Sequence, residues 1–394
     1  MKMELPTLQN TYIGKKKVLV RTGFDVPLDD KGNVLDDSRI RASVPTIRYI
    51  LEHGAEQVII MTHIGRPKNK ERQLMTCKVA AKLSEILGES VMKVDDFGEN
   101  GIPDPKIDRV VMLENLRFHP GEKDKDPAKR DGFGKMLASI AEVYVNDAFS
   151  NCHRDHASMT SVPKFIPGCV GLSVEQEVRT ISKALENPER PFVSIIGGVK
   201  ADKLNAVANL IDRVDRILIA GALAFTLLKK FGKEVGKTKT DTEGLGAFDA
   251  LVSKIKDNPK VVLPVDVVLA DRFDADADSK VTSVDNIDPG WMALDIGPET
   301  VRCFREVIAG AKTIIWNGPI GVFEFDRFAG GTKEIANALA ESGAITIVGG
   351  GDSGAAVEKL GLKDRLTLVS SGGGASLELF EGKELVALKA LVKA

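Results

Sequence analysis

Short, continuous apolar runs rich in β-branched residues recur along the whole 394-residue chain, and stretches of helical periodicity lie between several of them. No other feature restricts the fold as strongly. The first series is Val18–Arg21, Gln57–Thr62, Arg109–Leu113 and Glu142–Val145. The second is Phe192–Ile196, Arg216–Ile219, Val261–Leu263, Thr313–Trp316, Ala344–Val348 and Leu366–Val369. A strand with one wet face alternates apolar and polar residues. A run that is apolar throughout suits a parallel strand covered on both faces. Ser38 is placed to cap a helix whose apolar positions are Ile40, Val44, Ile47 and Leu51, with Gly54 beyond its end. Thr76 is placed to cap another, with Val79, Leu83 and Leu87, stopped at Gly88. Strand–helix alternation of this kind predicts an α/β fold of doubly wound parallel sheets.

The length exceeds one ordinary core and predicts two domains. Pro163, Pro167 and Gly168 break the chain after the first series, and a helical stretch from Ser173 to Leu185 ends at Asn187–Pro188. We therefore expect an N-terminal domain over 1–170, a connecting helix over 171–186 and a C-terminal domain over 187–375. The formal net charge of −2 gives no general basic surface for nucleic acid. The apolar runs fall far short of the roughly 20 residues of a membrane span. The first residues, MKMELPT, lack the apolar core of a secretory signal. Cys77, Cys152, Cys169 and Cys303 are scattered without metal spacing, which suits a reducing, cytoplasmic setting. Cys152 beside His153 reads either as a reactive thiol or as a small loop residue. The charged stretch Gly121–Arg130 reads as a solvated loop.

Ligands of open α/β sheets bind beyond the carboxyl ends of the strands. In the first half those ends are basic. Arg21 closes the first strand. His63 and Arg66 follow the second, Arg117 and His119 the third, and His153, Arg154 and His156 the fourth. Arg39 lies in the first turn of the first helix. Arginine forks suit phosphate and carboxylate, so the set predicts a site for a small polyanion.

In the second half the strands end in glycine: Gly197–Gly198 before Lys200 and Lys203, Gly221, Asn317-Gly318-Pro319, Gly349–Gly351 before Asp352 and Ser353, and Gly372–Gly374. Glycine lets backbone N–H groups approach a phosphate closely. Gly349, Gly351 and Gly354 fit GxGxxG, but Asp352 inside the turn would repel a pyrophosphate. The following strand ends in Ser370–Ser371 rather than in a ribose-binding acid. Asp352 is better explained by Mg²⁺ on a nucleotide, or by an N-cap role. An anion half and a nucleotide half imply phosphoryl transfer, with Lys200 and Lys203 placed to meet the moving group.

THIGRPK, ENLRFHPGE, NDAFSNCHRDHAS, PVDVVLADRF, ALDIGP, WNGPIGVFE, GGGDSGAAVEK and SSGGGASLE occur in this order over nearly the whole chain. Together they resemble phosphoglycerate kinase. The resemblance implies reversible transfer from 1,3-bisphosphoglycerate to ADP, giving 3-phosphoglycerate and ATP, with Mg²⁺, by a hinge-bending monomer. It implies two Rossmann-like domains facing across a cleft, with a C-terminal tail (376–394) returning to the first. It puts Arg21, Gly23, Phe24, Asp25, Arg39, His63, Ile64, Gly65, Arg66, Arg117 and Arg154 at the glycerate. The nucleotide would meet Gly198, Lys200, Lys203, Gly221, Asn317, Pro319, Glu324, Gly350, Gly351, Asp352 and Ser353. Glu324 would meet the ribose and Asp352 the metal. Arg39, Lys200, Lys203, Gly351 and Gly373 would stabilise the transferring group.

Three places depart from the family pattern. The family's RVDFNVP is here Arg21-Thr22-Gly23-Phe24-Asp25-Val26-Pro27. The glycine–lysine loop Gly197–Lys203 is one residue short. A triple glycine appears as Ala220-Gly221-Ala222. In an extended chain, positions 23 and 25 would face the same way, so Asp25 is expected to replace the missing acid. The alternatives are a family member with an impaired glycerate site, or a Rossmann dehydrogenase.

Overall fold

The computed structural model describes residues 4–95 and 108–392. The chain forms two compact units, Met1–Arg179 with Glu384–Ala394, and Thr180–Lys383.

The first unit holds one parallel sheet. Its strands are β1 (Lys17–Thr22), β2 (Gln57–Met61), β3 (Met92–Lys93), β4 (Val110–Met112), β5 (Val143–Asp147) and β6 (Gly168–Val170), in the order β3-β4-β2-β1-β5-β6. Every residue of β2, β4 and β5 is buried. That burial is why these stretches read as unbroken apolar runs, and each full Val, Leu or Ile burial stabilises by roughly 1.5–3 kcal/mol. The helices Ser38–Glu52 and Cys77–Leu87 bring Ile40, Ile47, Ile50, Val79 and Leu83 onto this core.

The second unit holds a larger parallel sheet and a small antiparallel one. The parallel strands are β7 (Phe192–Ile196), β8 (Arg216–Ile219), β9 (Val261–Val262), β13 (Thr313–Asn317), β14 (Ile345–Gly349) and β15 (Leu368–Val369), in the order β15-β14-β13-β7-β8-β9. The antiparallel order is β11 (Ser279–Ser283), β10 (Asp266–Ala270), β12 (Met292–Ile296). This sheet was not expected. β11 is largely exposed, and its sequence SKVTS has no apolar run to mark it. β3 and β6 also escaped, being two and three residues long.

Several local expectations need correction. Asp37, not Ser38, holds the N-cap position of the first helix, and its carboxylate accepts from Arg41 instead of capping. Thr76 does hold that position in the next helix, but its hydroxyl donates to Leu113 O at 2.9 Å instead of capping. Residues 121–130 are no solvated loop. They run through a short helix, Pro120–Lys123, into the helix Pro127–Ala138, and Glu122 is fully buried. Its carboxylate accepts the Ser158 hydroxyl at 2.7 Å and the Ser158 N–H at 3.0 Å, which makes that burial tolerable. Cys152 is also fully buried, and burial pushes its thiol up to about 12. That leaves the unreactive reading.

The helix linking the units is Leu172–Glu186. Asp147 accepts the Ser173 N–H at 3.1 Å and the Thr46 hydroxyl at 2.9 Å, while Thr46 accepts the Leu172 N–H at 3.0 Å. The two side chains therefore satisfy N–H groups that the helix leaves open at its start. The tail differs from its expected start. Residues 376–383 belong to the second unit, where Asn209 donates to Phe380 O at 2.7 Å, and the chain re-enters the first unit at Glu384. There Ala387 N–H donates to Cys152 O at 3.0 Å, and the helix Val386–Val392 packs on a π-helical turn, Ala157–Ser161.

Candidate functional site

In the first unit the loops after β1, β2, β4 and β5 converge. His63, Ile64 and Gly65 follow β2, and Asn115 fixes them: its Oδ1 accepts the Ile64 N–H at 3.2 Å and its amide donates to Ile64 O at 2.9 Å. Asp25 Oδ1 accepts the Gly65 N–H at 2.8 Å. Asp25 Oδ2 lies 3.4 Å from His63 Nε2. Arg39 donates to the Asp25 carbonyl at 2.7 Å and Arg117 to the Gly65 carbonyl at 2.5 Å. Burial raises the Asp25 carboxyl, but the His63 and Gly65 contacts and Arg117 hold it well below the usual carboxylate range. Burial, with the charge of Arg154 beside it, depresses Arg117 to about 10. Arg154 is itself lowered, by burial and by the charges of Arg66 and Arg39, with Asp25 acting against them. Arg39, Arg66, Arg117 and Arg154 thus share one field around Asp25, as a polyanion site requires.

Other expected residues are placed differently. Arg21 is fully buried. Its Nε donates to Ser158 Oγ at 2.9 Å, one Nη to the Thr22 carbonyl, and the other to His63 Nδ1 at 2.8 Å. It stands behind His63, not open to a ligand. The side chains of Phe24 and Ile64 lie in the core, since the apolar ring and the branched chain gain more there than at a charged surface. His119 stacks on Phe133 and accepts the Gly121 N–H. His156 lies 3.7 Å from buried Glu122, and burial with Arg21 nearby lowers it to about 3. The same-side expectation for positions 23 and 25 fails, because β1 ends at Thr22 and the chain turns at Asp25, where the Val26 N–H donates to Phe24 O at 2.9 Å. A Cβ on Gly23 would sit 3.5 Å from Ser150 Oγ, beyond β5, whereas Asp25 reaches the loop beyond β2. Asp25 does not stand where an acid at position 23 would.

In the second unit the strand ends wall a cavity of about 640 Å³. Gly198, Gly221, Pro319, Glu324 and Asp352 line it, as do Phe273 and Phe325, whose rings pair at 5.1 Å. Close backbone packing makes glycine necessary at Gly318. Its φ is +91°, and a Cβ there would lie 2.2 Å from Gly197 O and 2.6 Å from Lys203 Nζ. Lys203 crosses this glycine floor and donates to Asn317 Oδ1 at 2.9 Å. Burial lowers its ammonium, and Asp352 and Asp202 oppose that. Lys200, by contrast, is exposed. Gly350 takes the N-cap position of the helix Gly351–Lys359, so Asp352 is no N-cap. It lies exposed in the first turn and faces the cavity. Ser353 is buried and its hydroxyl accepts the Gly318 N–H at 2.8 Å, joining the ends of β13 and β14. The Asn317 amide nitrogen, fully buried, has no partner. Gly351 opens one helix and Gly373 (φ +51°) precedes another, and neither has anything within 4 Å of a Cβ direction.

Comparison with known proteins decides what this pairing of sites belongs to. The sequence profile of phosphoglycerate kinase matches residues 8–383. The chain belongs to the phosphoglycerate kinase family. It is 46% identical to the phosphoglycerate kinase of Nostoc sp. (strain PCC 7120) over 403 residues, covering all of both chains. It is 46% identical to that of Moorella thermoacetica over 394 residues, covering 98% of this chain and 99% of that one. Among solved structures, phosphoglycerate kinase from Coxiella burnetii aligns over 99% of both chains with a TM-score of 0.87 and 35% identity. The Pyrococcus horikoshii enzyme aligns over 98% of both with a TM-score of 0.83 and 31% identity. The protein is therefore a phosphotransferase with a carboxyl group as acceptor, and neither the dehydrogenase nor the impaired-member reading gains support.

Sequence reasoning missed the layer behind these residues. Glu122 and Ser158 support Arg21. Asp295, buried and raised by burial to about 7, lines the cavity of the second unit and accepts the Gly331 N–H at 2.7 Å. Lys237, Thr238 and Lys239 also line it. The motif ALDIGP contained Asp295, but nothing in its letters marked the acid as buried.

Proposed function

We propose that the arginine cluster of the first unit binds 3-phosphoglycerate or 1,3-bisphosphoglycerate, that the cavity of the second binds ATP or ADP, and that the phosphoryl group passes between them. The observation that carries the second assignment is the meeting of Lys203 and Asp352 at a glycine-walled strand end. One cation faces the transferring oxygens and one carboxylate faces a nucleotide-borne metal. Among the described residues no group of three His, Cys, Asp or Glu side chains could cage a metal. The Asp352 carboxylate, exposed at the start of its helix, fits Mg²⁺ held chiefly by phosphates. Held in this way, Mg²⁺ would supply charge neutralisation on the nucleotide's phosphates. Asn317 positions Lys203 and keeps a free amide donor at the same place. Glu324 offers its carboxylate to ribose hydroxyls. Arg39, Arg66, Arg117 and Arg154 bind the phosphate and carboxylate of the glycerate.

Calorimetry tests the metal assignment. Asp352→Ala should weaken Mg-ADP severalfold and leave 3-phosphoglycerate binding unchanged. Equal Mg-ADP affinity in parent and variant would remove Asp352 from that role.

Phosphoryl transfer between a nucleotide and a carboxylate competes with transfer to water, so the two ligands must meet in a site that excludes it. We read the helix Leu172–Glu186 as the hinge of that closure, in a monomeric, cytoplasmic enzyme. Solution scattering should give a smaller radius of gyration with 3-phosphoglycerate and a non-hydrolysable nucleotide together than with either alone. Superimposable curves in all three states would refute closure.

A further inference from the structure

Behind the open face of the glycerate site runs a buried chain of polar contacts that no direct contact with substrate requires. It begins at Glu122, which is fully buried in a helical turn after β4. Glu122 Oε1 accepts the Ser158 hydroxyl at 2.7 Å, and Ser158 Oγ in turn accepts Arg21 Nε–H at 2.9 Å. Arg21 places one Nη 2.8 Å from His63 Nδ1. Each member comes from a different loop or strand, and Arg21, Ser158 and Glu122 have no exposed surface.

The chemistry of arginine gives this chain a direction. A guanidinium has only donors, so His63 Nδ1 must accept. The ring proton is then on Nε2. That nitrogen is buried, makes no completed hydrogen bond, and has Asp25 Oδ2 at 3.4 Å as its nearest acidic group. A buried N–H with only one distant acceptor is a donor prepared for another. We propose that Glu122 is a positioning residue of the glycerate site: through Ser158 and Arg21 it fixes His63 as the Nε2–H tautomer and directs that N–H, beside Asp25, at an oxygen of the bound glycerate.

The charges around His63 agree with this assignment. Arg21 and Arg117 both disfavour a protonated ring, and Asp25 favours it. Burial outweighs Asp25 and holds the imidazole down at about 3. His63 therefore stays neutral at physiological pH, where the tautomer decides whether it donates or accepts. Asp25 suits the same state. Its two oxygens face two donors, Gly65 N–H and His63 Nε2–H, whereas an amide in that place would turn an NH₂ toward one of them. The acid at position 25, a departure from the family pattern, is matched to a histidine fixed from behind.

The proposal rests on the glycerate reading of the first unit, and one experiment separates the two. Nitrogen-15 NMR of His63 in the intact enzyme reports the tautomer without any substrate. The parent should show a single Nε2–H form across pH 6–8. Glu122→Gln frees one of the two Ser158 donors and removes the charge facing Arg21. It should give a mixture of tautomers and a several-fold higher KM for 3-phosphoglycerate, with the KM for ATP unchanged. Ser158→Ala breaks the same chain without touching a charge and should act in the same direction if the Gln variant does not fold. An Nδ1–H parent, or variants whose His63 spectra match the parent, would overturn the proposal. A shifted tautomer with an unchanged glycerate KM would uphold the fixing of His63 and overturn the step that directs it at glycerate.

Discussion

Lys203→Ala should lower turnover by about 100- to 1000-fold while the KM for ATP moves little, as expected when a preorganised charge meets a transition state. The side chain makes one side-chain hydrogen bond, to Asn317, and its ammonium lies over Gly198 and Gly318 at the mouth of the strand ends. Such a group does little for a nucleotide already held by its base, ribose and metal. It matters when charge spreads over the three oxygens of the transferring phosphoryl group. Steady-state kinetics with saturating 3-phosphoglycerate would show the effect in kcat. A variant that keeps the parent's kcat would strip Lys203 of this role. Lys200, exposed on the shortened loop, then becomes the comparison. Its alanine variant should show a smaller loss in kcat if the short loop has moved it outward.

Asp25→Ala should raise the KM for 3-phosphoglycerate about tenfold or more and leave that for ATP nearly unchanged. The reason differs from simple replacement of a missing acid, since a side chain at Gly23 would point toward Ser150 and away from Asp25. Asp25 holds the Gly65 N–H and faces His63, so its removal loosens the turn that presents both His63 and the carbonyl gripped by Arg117. A lost hydrogen bond to a charged group is worth about 1.5–3 kcal/mol, which sets the expected size. The competing effect is electrostatic, because a bare carboxylate repels an anionic substrate. Glycerate bound as well as or better than in the parent would mean that repulsion wins and that Asp25 only offsets the arginines.

Much of this was visible in the letters because the physics there is local. Unbroken apolar runs announced β1, β2, β5, β7 and β13, and glycine clusters marked strand ends that wall the cavity of the second unit. Arg66, Arg117 and Arg154 were picked out because ligands of an open α/β sheet meet the ends of its strands, and Arg39 because it opens the first helix. What escaped depends on contacts between distant segments. Glu122 sits in a run of charges that looks solvated, and Arg21 together with Ser158, 36 residues on, makes its burial tolerable. Arg21 was read as a ligand contact because its role as a support depends on Ser158 and His63 together. The small sheet of β10, β11 and β12 escaped because an exposed edge strand needs no apolar pattern.

The returning tail sets an order on biosynthesis. The helix Val386–Val392 packs on the turn that carries Ser158, yet it is synthesised after all of Thr180–Lys383. At about 5–20 residues per second, the whole of Thr180–Lys383 emerges before that helix can dock. Until then the nascent first unit has Arg21 and Glu122 but lacks the cover over the turn between them. The layer behind Arg21 therefore gains this cover only once residues beyond Glu384 have been made and can dock, and a polypeptide stalled before Glu384 lacks it.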